Sequence, residues 1–367
     1  MIWLIIIILA LVTGVTLYIQ LNPQFGSSLS DANKNSYQQS KYWEDGKFMN
    51  QSVTTMDIGI KSMPGLLKAQ FTNTAVRSPE KPIPVVAFDE QKFNTSPEKP
   101  KFIWYGHSVL LLQIEGKNYL IDPMFGNDAS PIGPFTVKRF SENTLEIIDQ
   151  LPPIEAVLFT HDHYDHLDYA SIKKLKSKVS QYYVALGLGR HLEKWGVPAE
   201  QIKELDWWDE INTADLRIVF TPSRHFSGRG LFDRAKSLWG GFVFQSKNHR
   251  IYWSGDGGYD THYKEIGEKL GPFDWAFVEC GQYNKLWHQI HNYPEEAVQA
   301  GIDSQSKVSI PVHWGGFNLA LHPWKEPAER FIAHAKDTQT TISVPQIGEI
   351  VVMGAEPQEN NWFEKME

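Results

Sequence analysis

Six consecutive residues, His161-Asp162-His163-Tyr164-Asp165-His166, hold three imidazoles and two carboxylates in the order His-x-His-x-Asp-His. In extended backbone, positions i and i+2 point the same way, so His161 and His163 can meet one ion from one side. Asp165 and His166 follow after the chain turns and can face a second ion. Imidazole and carboxylate together suit zinc, and also iron or manganese. One loop cannot complete a two-ion site. Three further residues stand where an apolar run gives way to small or turn-forming residues: His225 after Phe220-Thr221-Pro222-Ser223-Arg224, Asp256 in Ser254-Gly255-Asp256-Gly257-Gly258, and His313 in Pro311-Val312-His313-Trp314-Gly315. At such strand ends, small residues let backbone and metal come close.

The elements that must position these groups can be read around them. Ala156-Val157-Leu158-Phe159-Thr160 has strand composition, and Asp168 opens a helical stretch as its N-cap. The metal loop therefore lies at the carboxyl end of a strand, where chemistry on open α/β sheets collects. Phe102 to Tyr105, Val109 to Ile114 and Asn118 to Asp122 read as strands, the last two joined by a hairpin at Glu115-Gly116-Lys117. Strands and helices alternate onward, which gives an α/β protein with two sheets and one metal site.

Composition is that of a globular enzyme: 367 residues, 42% hydrophobic and 21% charged, with a net charge of −8 that gives no reason to expect nucleic acid as a partner. One cysteine, Cys280, excludes an intrachain disulfide, and its strand-like context reads as packing. The 13 Trp, 14 Tyr and 20 Phe serve a core or, beyond that, a lipid groove. Residues 1–20 stand apart. Ile2 to Ile19 carries no charge and has about the length needed to cross a bilayer, so it reads as a transmembrane anchor or, alternatively, a signal segment. Flanking charge leaves the side of the membrane open. Residues 21–100, rich in polar residues and proline, read as a linker and irregular wrap able to act as a spacer; the catalytic domain is expected over 101–367.

The order of these ligands resembles the metallo-β-lactamase superfamily. The strings Leu205-Asp206-Trp207-Trp208, Thr221-Pro222-Ser223-Arg224-His225, Gly255-Asp256-Gly257-Gly258-Tyr259, Pro294-Glu295-Glu296-Ala297-Val298 and His313-Trp314-Gly315-Gly316-Phe317 are similar to the N-acylphosphatidylethanolamine-hydrolysing phospholipase D family within it. The resemblance runs from about Lys101 to about Glu349. It implies a four-layer αββα sandwich with the metals between the sheets. It implies that His161, His163 and His225 hold one ion, that Asp165, His166 and His313 hold the other, and that Asp256 bridges them, with two Zn2+ as the expected pair. Catalysis would then rest on Asp165, Asp256 and His291, the last protonating a leaving group or holding a phosphate oxygen unless it is a plain loop histidine. Hydroxide generated at the ions would cleave an N-acylphosphatidylethanolamine-like membrane lipid to N-acylethanolamine and phosphatidic acid. The same fold hosts other chemistries, so a hydrolase of lactones or soluble phosphodiesters is the alternative, and a membrane-tethered metal or redox protein the second. Asp122 and Asp168 are expected either to orient a ligand imidazole or to cap a turn or helix, and His107 to be structural. Gly257 stands where the family has Thr, which removes a hydroxyl beside the site.

Overall fold

The computed structural model describes residues 1–56, 63–72, 74–133, 135–355 and 361–366. A helix, α1 (Ile2–Leu21), precedes α2 (Asp31–Tyr37), a two-stranded ribbon of β1 (Trp43–Glu44) and β2 (Lys47–Phe48), and two short helices, α3 (Met63–Thr72) and α4 (Glu90–Phe93). Then come β3 (Lys101–Trp104), β4 (Leu110–Ile114), β5 (Lys117–Ile121), α5 (Thr144–Gln150), β6 (Ala156–Phe159), α6 (Tyr169–Leu175), β7 (Tyr182–Ala185), α7 (Gly189–Lys194) and β8 (Ile202–Leu205). The second half holds β9 (Glu210–Asn212), β10 (Arg217–Thr221), β11 (Gly241–Gln245), β12 (Arg250–Trp253), α8 (His262–Leu270), β13 (Phe273–Glu279), α9 (Pro294–Asp303), β14 (Ser306–Val312), α10 (Glu326–Thr338) and β15 (Ile350–Val352).

These strands form a seven-stranded sheet in the order β15-β3-β4-β5-β6-β7-β8 and a six-stranded sheet in the order β14-β13-β12-β11-β10-β9. Period-two alternation explains the layering. Phe102, Leu112, Tyr119 and Leu158 of the first sheet share a core with Phe244, Ile251, Trp275 and Phe277 of the second. Phe102 sets its ring edge-on to Trp275 and Phe277, with centroids 5.0 and 4.7 Å away. The alternate residues Ile103, Leu111, Leu120 and Val157 turn outward and pack with Ile148 of α5, Ile172 and Leu175 of α6 and Leu192 of α7. Helix α9 lies on β13 and β14, flanked by α8 and α10. This is the four-layer arrangement.

In both sheets the strands that carry the site run parallel. β5 pairs parallel with β6, and β12 with β13 and β13 with β14. Parallel neighbours end at the same edge, so the residues after β5, β6, β12, β13 and β14 arrive side by side.

Residues 21–100 are not a free spacer. Tyr37 and Phe48 are buried in the core between the sheets. Asn50 brackets His225, donating from Nδ2 to its carbonyl (2.8 Å) and accepting from its N–H (3.1 Å). Directly after α1, the carbonyl of Gln24 accepts from Nε and Nη2 of buried Arg229 (2.9 and 2.7 Å), and that of Pro23 from Trp195 Nε1 (2.9 Å). Polar composition marked this stretch as irregular, but its few large apolar side chains and its backbone groups are bound to the domain.

Candidate metal centre

Seven side chains converge where the two sheet edges meet. His161 Nε2 lies 2.9 Å from His163 Nδ1, which lies 3.2 Å from His225 Nε2. On the other side, His313 Nε2 lies 3.3 Å and His166 Nε2 3.7 Å from Asp165 Oδ2. Asp256 Oδ2 stands between the two groups, 3.1 Å from His166, 2.9 Å from His313 and 3.9 Å from both His161 and His225 at their Nε2 atoms.

The outward ring nitrogens face acceptors or a hydroxyl. His161 Nδ1 meets the Thr160 hydroxyl (2.9 Å), His225 Nδ1 the Ile290 carbonyl (2.9 Å), and His166 Nδ1 Asp122 Oδ2 (3.0 Å). His313 Nδ1 is 3.5 Å from Glu279 Oε1. The partners of His161, His225 and His166 hold the proton on the outer nitrogen and aim the other lone pair inward. The inward nitrogens then crowd one another around Asp165 and Asp256, an arrangement that a cation, whether a proton or a metal ion, relieves. The donor set fits two divalent ions: His161, His163 and His225 could hold one, Asp165, His166 and His313 the other, and Asp256 reaches both.

The electrostatics agree. Burial opposes charge on His166, yet Asp256, Asp165 and Asp122 outweigh it and lift its imidazole to about 10. His313 rises likewise against burial, chiefly through Asp256. Burial and the neighbouring imidazoles keep His161 and His225 far below the usual histidine range. Burial works against ionising Asp165 and Asp256, but the nearby histidines hold both well below the usual carboxylate range. Buried Asp256 and partly buried Asp165 thus remain ionised, and the pocket attracts positive charge.

The supporting residues settle several open readings. Asp122, at φ 43° after β5, accepts from Thr160 N (2.9 Å), Thr160 Oγ1 (2.7 Å) and His166 Nδ1, so it orients an imidazole. Asp168 caps α6 through Ser171 N (2.7 Å) and touches no imidazole in the cluster. His107, expected to be structural, stands among the second group of donors: its Nε2 meets Asp165 Oδ2 at 2.8 Å within reach of His166 and His313, and its backbone pairs with His313 and Trp314. His291 is not a plain loop residue. Its Nδ1 is held by Glu279 Oε1 (2.8 Å), and its ring lies 5.1 Å from that of His225 and 5.3 Å from that of His313. Cys280 is fully buried, and burial pushes its thiol up, as a packed residue requires.

Four supporting residues escaped the sequence. Glu279 ends β13 directly after the apolar run Trp275-Ala276-Phe277-Val278, beside the end of β14, a position that could have flagged it. Asp162 lies between two ligands and faces the opposite way, accepting from Gly228 N (2.7 Å) and Ser237 Oγ (2.6 Å). Period two signals a buried acid there. Arg229 donates to the carbonyls of Asp162 (2.7 Å) and Leu167 (2.8 Å), clamping the metal loop. Neither Arg229 nor Asn50 carries a local signal.

Beside the donors lies an open cavity of about 250 Å3, lined by apolar Met56, Phe226, Trp287, Ile290 and Leu319 together with His163, Asp165, Asp256, His291 and His313.

The model of the β-lactamase superfamily domain matches residues 117–314, a span that contains all seven donors. An uncharacterized protein of Mycobacterium tuberculosis is 37% identical over 319 residues, covering 86% of this chain and 85% of its own. N-acyl-phosphatidylethanolamine-hydrolyzing phospholipase D 1 of Caenorhabditis elegans is 32% identical over 264 residues, covering 67% and 74%. Among solved structures, Igni18, a metallo hydrolase from Ignicoccus hospitalis, superposes with a TM-score of 0.55 at 21% identity over 69% of this chain and 98% of its own, which speaks to the fold. Fold, donor set and relatives agree: the chain belongs to the metallo-β-lactamase superfamily.

Proposed function

We propose that this protein is a two-metal phosphodiesterase of the phospholipase D type, acting on an N-acylphosphatidylethanolamine-like lipid in a membrane that α1 anchors. The carrying observation is the pair of donor groups that Asp256 Oδ2 approaches from between them, beside an apolar-rimmed cavity. Likeness to the C. elegans enzyme supports the substrate class. Zinc suits the histidine-rich donors, with iron or manganese also admissible. Bound there, divalent ions would lower the pKa of a water and neutralise charge on phosphoryl oxygens.

The chain's own residues supply the rest. Asp256 and Asp165 keep negative charge in the site and set the spacing of the two donor groups. His291, fixed through Nδ1 by Glu279, keeps Nε2 for the substrate, where it gives a proton to the departing alkoxide or holds a phosphate oxygen. The small cavity fits a head group and its phosphate rather than two acyl chains, so the chains stay outside, against the apolar rim or in the bilayer. In the reaction, water oxygen bonds to phosphorus, the phosphorus–oxygen bond on the amide-bearing side breaks, and phosphatidic acid and N-acylethanolamine leave.

Hydrolysis of a lipid panel in oxygen-18 water tests this, with label expected in phosphatidic acid. Label in a fatty acid, or turnover of lactones without any phospholipid turnover, would overturn it. Metal analysis with absorption spectra distinguishes a di-iron redox centre from the hydrolase.

A further inference from the structure

Four apolar side chains on two turns of the catalytic domain stand in solvent: Ile132 (43% exposed), Phe135 (72%), Leu231 (67%) and Phe232 (92%). Phe135 and Phe232 are the two exposed phenylalanines among the described residues. Large side chains so placed are unfavourable in water unless something covers them.

Both turns flank the base of α1. The Tyr18 hydroxyl donates to the carbonyl of Pro131 (2.7 Å), and Asn22 Nδ2 donates to the same carbonyl (3.0 Å), tying the helix to the turn that bears Ile132 and Phe135. On the other flank, Ile19, Gln20 and Phe25 line one groove of about 500 Å3 with Leu231 and Phe232. Lys34, Lys194 and Lys236 line it too. Lys194 and Lys236 donate to the neutral carbonyls of Gly26 and Gly46, whereas Lys34 pairs with Asp31 (2.7 Å) and Asp233 also lines the groove. Above this collar rise the 20 residues of α1, none charged and none buried.

We propose that Ile132, Phe135, Leu231 and Phe232 form a collar that docks the catalytic domain onto the bilayer from which α1 emerges. An apolar helix, apolar tips at its base and the lysines Lys194 and Lys236 beside them suit the acyl region, interface and phosphate layer of a bilayer. A second copy of the chain would need no charge-free helix continuous with the patch. The collar also adjoins the chemistry. Tyr18 packs edge-on against Phe25 (5.9 Å), and Phe25 against Tyr164 (6.2 Å), which stands between His163 and Asp165. Docking would hold the metal loop at the lipid surface.

The inference rests on the membrane setting proposed above, and its test separates the two. Full-length protein carrying Phe135→Cys, Phe232→Cys, Leu9→Cys or Asn248→Cys is labelled with an environment-sensitive fluorophore, native Cys280 being buried. Asn248 is exposed in the turn between β11 and β12, at the end of β12 away from Asp256. Each protein is bound to phosphatidylcholine–phosphatidylethanolamine–phosphatidylglycerol vesicles carrying a shallow doxyl-lipid quencher. Labels at 9, 135 and 232 should shift to the blue and be quenched several-fold more than the label at 248. Quenching at 9 with water-like emission at 135 and 232 overturns the collar and leaves the anchor standing. Water-like emission at all four overturns both. A blue shift at 135 and 232 that grows with protein concentration in detergent without vesicles also overturns the collar, assigning it to a second copy.

Discussion

Asp122→Asn isolates the part played by one carboxylate that touches no ion. Asp122 is fully buried at φ 43°, a backbone conformation that Asn tolerates, so the main chain is preserved. Its two oxygens accept from Thr160 N, Thr160 Oγ1 and His166 Nδ1 at 2.7–3.0 Å. An amide keeps only one acceptor oxygen. With that oxygen on Thr160 N, the NH2 group faces the Thr160 hydroxyl and His166 Nδ1. The hydroxyl can rotate to accept. The imidazole can avoid donor against donor only by moving its proton to Nε2, the nitrogen that faces Asp256, which removes the lone pair the site needs. Loss of such a partner weakens metal affinity by roughly 10- to 100-fold, or about 1.4–2.7 kcal/mol. The loss should fall mainly on the ion that Asp165, His166 and His313 would hold, since His161 keeps its Thr160 partner. Unfolding free energy should fall by about 1–3 kcal/mol for a buried group left unmatched. Stepwise competition with a chromogenic chelator reads the two affinities separately. Two constants within about twofold of wild type, in a variant whose structure is unchanged, would show that Asp122 does not set the tautomer of His166.

Asp256→Asn should weaken both binding steps in that titration, because its Oδ2 is the atom within 3.9 Å of donors from both groups. Asp165→Asn should retain the fold by circular dichroism but lower turnover by more than tenfold, a barrier increase above about 1.4 kcal/mol. Gly255→Ala should lower Tm by several degrees: Gly255 sits at φ +62°, and a Cβ there would lie 2.1 Å from the Gly240 carbonyl oxygen, backbone that cannot swing aside. A chain beginning at Gly26 should unfold at lower urea than one beginning at Asn22. It lacks the Gln24 carbonyl that accepts two bonds from buried Arg229, and charge-assisted bonds of this kind contribute about 1.5–3 kcal/mol. Equal midpoints would mean that the segment after α1 is dispensable.

The candidate donors were legible because metal chemistry admits few residue types and the strand–loop context is local. Three histidines and two carboxylates in six residues carry their own explanation, and period-two runs of Val, Leu, Ile and Phe located the strands around them. The N-cap at Asp168 and the apolar span of α1 were local as well. Residues 21–100 read as a linker and irregular wrap, but composition reports what a segment lacks, not where its anchors land: Tyr37 and Phe48 enter the core between the sheets, and Asn50 meets His225, 175 residues away.

The sequence by itself determined the donors, their order and the strand ends that bear them, since each follows from residue type and short spacing. Only the tertiary structure decided that β5 and β6 end together on one sheet, that β12, β13 and β14 end together on the other, and that the two edges meet, because parallel pairing and sheet packing join distant segments. That pairing brings Asp256 between two donor groups, sets Glu279 behind His291 and His313, and lets Arg229 clamp the metal loop to the chain leaving α1. None of these contacts has a periodic signature, for each depends on a side chain meeting a partner that the chain reaches only after folding.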